Sequence, residues 1–184
     1  MGAMKRPRIL SPPPVRPGIT AAGLVLALAA AGVLIALAVP LHERARDVAA
    51  FKSTLSDIRL WDDAVKAYIA ATGAAPANPK GPILFKKPVV DELAPFMAQF
   101  RTLDWWGYNY QVWTGPGNRE YGISLTAAGD YLIVSTGKGG VREAWAYDPA
   151  RPDAGLFAVE APEDYEKDLV IWNGRLVRGP KGAR

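Results

Sequence analysis

The stretch that decides the architecture is "GITAAGLVLALAAAGVLIALAVP", Gly18 to Pro40. It carries no charge, opens on glycine and closes on proline. Residues 19–39 are dominated by Ala, Leu, Val and Ile. As a helix at ~1.5 Å per residue they cover roughly 31 Å, about one hydrocarbon core. Ahead of them stand Lys5, Arg6, Arg8 and Arg16 with no acid. The remaining residues are balanced, so the whole formal charge of +4 sits at this end. A basic end before an apolar run predicts a cytoplasmic N-terminus with the body on the other side. The neutral body shows no basic stripe and does not read as a nucleic-acid-binding domain.

Three fates fit such a run. It is a signal peptide cut after Ala36-Leu37-Ala38, a plain signal anchor, or a segment trimmed ahead of the helix and kept. The residues beyond Pro40 bear on the choice. Val48, Phe51, Leu55, Ile58, Trp61 or Asp62, Val65, Tyr68 and Ile69 recur at steps of three and four, as an apolar stripe on a helix does. Charged residues fill the gaps, and Gly73 is a natural stop. An apolar helix thus runs into an amphipathic one over residues 40–72, with Pro40 as a bend and not a necessary end.

The head begins after Gly73. Ala74 to Pro82 reads as a loop, and Val89 to Phe100 as a short helix limited by Pro95. Tyr108, Tyr110 and Val112 alternate as a strand does, and so do Tyr121, Ile123 and Leu125. Ala127 to Asp130 reads as a turn and Tyr131 to Val134 as the returning strand. The expectation is an α+β fold: a three-stranded antiparallel meander packed on the amphipathic half of the long helix. With no cysteine in the chain, that core must hold without disulfides.

Gly18-Ile19-Thr20 after a basic leader, about twenty apolar residues, and Pro40 at the twenty-second place from Ile19 together resemble the type IV pilins and the type II secretion pseudopilins. In that family the leader, here residues 1–18, is removed by a prepilin peptidase after the glycine, and the new N-terminus is methylated. The resemblance implies processing at Gly18 and Ile19 and a helix kink at Pro40. Most members have glutamate at the fifth mature place, where this chain has Gly23; members without it tend to be tip or minor subunits.

The body resembles the major pseudopilin more than a pilus-forming pilin. Asp104, Trp106, Gly107 and Tyr110 match that family's Asp-Pro-Trp-Gly-x-Pro-Tyr motif in spacing, with Trp105 and Asn109 in place of its prolines. "STGKGG" stands where the family has a Gly-rich loop, and "KDLVIWN" resembles its terminal Asp-Ile-x-x-Trp. Residues 141–166 read as an insertion in the head, 73–184. The resemblance implies an inner-membrane subunit with a periplasmic head, assembling with other pseudopilins on an inner-membrane platform and extending a short filament that drives secretion. It also implies a calcium site, with Asp164 and Asp168 as the candidates, although the loop supplies Lys138 and no acid. A surface pilus subunit and, in another class, an anchored periplasmic binding module remain alternatives.

The other signals have plainer readings. "STGKGG" is not a P-loop, since Leu132 and Gly139 hold places that motif needs for Gly and Ser or Thr. Asp62-Asp63 and Glu163, Asp164, Glu166 read as solvated acids. His42, the sole histidine, has no partners for a metal cluster or a triad. No residue is expected to do catalysis. Trp105, Trp106, Trp113, Trp145 and Trp172 read as core, with a sugar platform as the alternative. Trp145, Tyr147, Phe157 and Tyr165 make the insertion the expected interaction surface.

Overall fold

A computed structural model describes residues 20–77, 83–84, 87–97, 99 and 101–183. Gly18 and Ile19 lie outside them. Helix α1 spans Ala21–Thr72, 52 residues with Pro40 inside. It opens where the Thr20 hydroxyl accepts the Gly23 N–H at 3.2 Å, as an N-cap does. It ends at Gly73, whose N–H donates to the Ile69 carbonyl at 2.8 Å with φ at +82°. The chain divides into two compact units after Leu41. In the first, an 18-residue window is long and apolar enough to cross a membrane, and none of it is buried.

The second unit is α+β. After α1 come β1 (Ile83–Leu84), α2 (Lys87–Leu93), β2 (Gln111–Thr114), β3 (Arg119–Glu120), β4 (Ile123–Ser124), β5 (Tyr131–Ser135), β6 (Leu156–Phe157), β7 (Leu169–Trp172) and β8 (Arg175–Pro180). Helix α2 stops two residues before Pro95, whose ring excludes the preceding turn from continuing as α-helix; a single 3-10 turn, Ala94–Phe96, follows. The expected helix over 89–100 is therefore shorter at its far end.

Six strands form one sheet in the order β1-β2-β5-β7-β8-β6. The sheet is mixed and not wholly antiparallel, because β6 joins β8 in parallel. The expected meander does not form. Tyr121 and Gly122 sit at φ +49° and +73°, the left-handed pair a two-residue hairpin turn demands. The chain reverses there, and β3 and β4 make a separate ribbon. Strand β5 instead pairs with β2 on one side and β7 on the other. The alternation of Tyr121, Ile123 and Leu125 is real, since all three are buried, but it serves a lid over the sheet.

The sheet buries both faces. Val112, Ile133 and Ile171 stand opposite one another across β2, β5 and β7. They pack with Phe51, Ile58, Trp61 and Val65 of α1. On the other face Trp113, Leu132, Val134 and Val170 pack under Tyr121, Ile123 and Leu125, with Trp145, Tyr147 and Trp172 at the margin. Each large apolar side chain so covered contributes about 1.5–3 kcal/mol, which is how the head does without disulfides. The large aromatics of residues 141–166 pack into these two cores. Phe157 and Tyr165 are buried and Trp145 and Tyr147 half-buried, so their aromatics do not form the expected exposed surface.

The expected apolar stripe on α1 is in place. Phe51, Ile58, Trp61 and Val65 are buried, and Val48, Leu55, Tyr68 and Ile69 pack at the edge. Asp62 corrects the solvated reading. It is buried, accepting the Tyr131 hydroxyl at 2.6 Å and the Lys66 ammonium at 2.6 Å, while Asp63 is exposed. Burial is tolerable there because both carboxylate oxygens have donors.

Candidate functional site

The motif residues from Asp104 to Tyr110 lie at the seam between α1 and the sheet. Asp104 is 2% exposed. Its Oδ1 accepts the N–H groups of Trp106 at 3.0 Å and Tyr108 at 2.9 Å, and its Oδ2 accepts the Ser135 hydroxyl at 2.9 Å. The Gly107 N–H donates to the Asp104 carbonyl, and Leu103 and Asn109 close the base of the turn. One carboxylate thus folds the tight turn 104–108 and ties it to β5. Burial pushes that carboxyl above the ordinary range, and the hydrogen bonds pull only partly back.

The same turn is bolted to the helix. The Trp105 N–H donates to the Thr54 hydroxyl at 3.2 Å, and its indole N–H to Asp57 at 3.0 Å. The buried Tyr110 hydroxyl reaches Asp57 at 3.3 Å, and the Trp61 indole donates to the Arg101 carbonyl at 3.2 Å. Trp106 packs at a tilt against Phe51, with ring centroids 6.2 Å apart. So Tyr110 is a core residue, Trp106 packs half-buried against the core, and Trp105 is a half-exposed strut with the Arg101 guanidinium over its ring.

The Gly-rich loop follows β5. The Ser135 hydroxyl accepts the Gly137 N–H at 3.2 Å, so its proton and a lone pair are both committed. A Cβ on Gly137, at φ +59°, would meet the Lys167 and Tyr165 carbonyl oxygens, and one on Gly140, at φ +65°, would fall on the Tyr108 ring. Lys138 pairs with Asp47 of α1 at 2.7 Å. The loop is glycine-rich because it passes under other backbone, not because it cradles a phosphate.

No known family, no curated protein and no solved structure matches this chain.

The two calcium candidates do not act together. Asp164 closes the turn 162–166: its Oδ2 accepts the N–H groups of Glu160 and Ala161 at 2.9 Å each, and its Oδ1 pairs with Lys167 at 2.5 Å. Those bonds, the lysine first, hold its carboxyl well below the usual range. Asp168 is fully buried and opens β7. Its Oδ2 accepts the Tyr121 hydroxyl at 2.6 Å and the Glu143 N–H at 2.9 Å. Glu143 returns the bond to the Asp168 N–H at 3.0 Å and takes both arms of the Arg178 guanidinium, at 2.8 and 3.0 Å. Burial raises the Asp168 carboxyl, and its Oδ1 has no partner.

A calcium ion wants six to eight oxygens. Around Asp168 one carboxylate oxygen is free and the neighbouring carboxylate is already neutralised by Arg178. Among the described residues no group of three or more His, Cys, Asp or Glu is poised for a metal. The side-chain donors at Asp164 and Asp168 fall short of a calcium shell, and Arg178 already neutralises Glu143 beside Asp168.

Two features escaped sequence reasoning. Asn173-Gly174, at φ +46° and +82°, turns β7 into β8, and an Asn-Gly pair between apolar runs is a strong hairpin signal. The Glu143–Arg178 pair has no local signal, being 35 residues apart.

Proposed function

We propose that this chain is a pilin-like structural subunit of a type II secretion pseudopilus, held by α1 in the bacterial inner membrane with its head in the periplasm. The observation that carries the reading is α1 itself. It is one helix of 52 residues, unburied and apolar in its first part and packed into a two-faced α+β head in its second. A plain anchor needs only about twenty residues and no amphipathic continuation. A helix that both spans and carries a head suits a subunit whose apolar parts pack together in a filament.

In this reading Gly18 and Ile19 are the substrate of a prepilin peptidase, the partners are copies of the chain and related pseudopilins on an inner-membrane platform, and the work is mechanical. In this reading the chain itself performs no catalytic step. Gly23, in place of an acid, removes the charge that would need a partner in an apolar bundle, which favours a minor or tip position.

Intact mass of the membrane-extracted chain, expressed with its own prepilin peptidase, tests this. A mass starting at Ile19 with one added methyl group is expected. A mass starting at Val39 would make the run a discarded signal, and an uncut chain would make it the anchor of a periplasmic module; either sinks the filament reading. A surface pilus subunit would give the expected mass too, and imaging filaments on intact cells separates it.

A further inference from the structure

Beyond Leu41, the exposed large hydrophobic side chains among the described residues are Leu60, Leu103, Trp105, Tyr108 and Val141. Trp105 is 46% exposed, Tyr108 40% and Val141 75%. They are connected. Trp105 bonds to Asp57, one helical turn from Leu60. Tyr108 lies against Gly140, next to Val141. A contiguous apolar patch on an otherwise polar head marks an interaction surface.

An apolar groove lies on the other flank of α1. Its volume is about 460 Å³, and Val48, Phe51, Leu55, Val159 and Tyr165 line it. An apolar cavity of about 150 Å³ already takes a benzene ring, so this groove has room for an indole beside a phenol. At about 100° per residue, Asp57 and Leu60 lie roughly 145° round the helix from Val48, Lys52 and Leu55. Knob and groove therefore flank the strip of α1 that the sheet covers, one on each side.

Their charges are opposite. The charged residues lining the groove are Lys52 and Lys181, with no acid. Beside the knob, Glu43, Asp47 and Glu166 surround the single ammonium of Lys138, and Glu166 is exposed against Gly139. Arg101 is matched there by Asp57. Even with Arg46 counted on that flank, acid is in excess.

We infer that the Trp105–Tyr108–Val141 knob of one copy seats in the Val48–Leu55–Val159 groove of the next, with Glu166 facing Lys52 and Lys181. Two different surfaces on opposite flanks make a heterologous contact, which propagates instead of closing into a dimer. This deepens the filament reading by naming the surfaces that meet, and it rests on that reading only for its biological setting.

The chain has no cysteine, so engineered disulfides report contacts without background. Full-length protein in its own membranes would carry Val141→Cys, Val159→Cys or both, with a mild oxidant added. The double variant should give a ladder of dimers, trimers and higher species on non-reducing gels, and each single variant none. Lys52→Glu with Lys181→Glu should remove the ladder, and Glu166→Lys added to them should restore it. A dimer from Val141→Cys alone would mean a two-fold contact and overturn the inference. So would a double variant that stays monomeric while its intact mass starts at Ile19, an outcome that leaves the filament reading standing. A monomeric, uncut double variant would bring down both.

Discussion

Replacing Asp104 by alanine should be among the most damaging single changes to the head. The carboxylate accepts two backbone N–H groups and the hydroxyl of Ser135, which is fully buried. Alanine leaves all three donors without a partner. A buried donor left unsatisfied costs about 1–3 kcal/mol. Water can reach part of the turn, so the low end applies to its two amides, and the sum is about 3–4 kcal/mol. That is a large share of the roughly 5–15 kcal/mol that holds a domain folded. Asparagine is the control. Its amide oxygen still accepts the two N–H groups, and its NH₂ donates to the Ser135 oxygen, so the cost should stay near 1 kcal/mol. Near-UV circular dichroism of the full chain in detergent, followed through heating, reads both through the tryptophans. Alanine should lower Tm by about 10 °C and asparagine by only about 2–4 °C. Equal losses from the two would show that the carboxylate's hydrogen bonds do not organise the turn.

Further outcomes use the same melt. Gly137→Ala, at a positive φ and facing two carbonyl oxygens, should cost about 2 kcal/mol or more. Gly182→Ala, at φ +83° with open space around it, should cost about 1 kcal/mol; a reversed order would discredit the packing described under the loop. Tyr131→Phe strips Asp62 of one of its two donors and should cost about 1.5–3 kcal/mol, with no loss refuting the buried pair. Asp168 is held above the ordinary carboxylate value by burial, so the folded head keeps a proton there that the unfolded chain has released. Its contribution is fully present below the unfolded value and is lost as pH rises through the folded one. Relative to wild type, Asp168→Asn should therefore gain stability as pH is raised from about 4 towards neutrality; a constant difference across that range would contradict the burial.

What could be read in advance followed local physics. The stripe of Phe51, Ile58 and Val65 has a helical period, and burial follows it. Asp62 was ambiguous because nothing near it in sequence shows the Tyr131 hydroxyl that stabilises it. The meander failed at Tyr121-Gly122, where turn geometry outweighed an alternation that fitted a strand equally well. Strands β6 and β8 were invisible for a different reason. Their pairing is parallel and joins residues more than twenty apart, and Gly179 and Pro180 in β8 are poor strand formers in isolation. The motif from Asp104 to Tyr110 was legible as a unit, but not that its carboxylate ties a turn to β5. The knob could not be located from composition, because Trp105 and Trp106 are adjacent and only the fold separates the exposed ring from the half-buried one.

The order of strands has a consequence for synthesis. Ile58 leaves the ribosome early, while Ile171, its neighbour in the core, follows 113 residues later. At about 5–20 residues per second that interval is roughly 6–23 s. Strand β8, which joins β6 to the rest of the sheet, comes later still. Val112 and Ile133 of β2 and β5 reach the same face of α1 earlier, so the helix is covered in instalments, and its last uncovered side chains wait for β7.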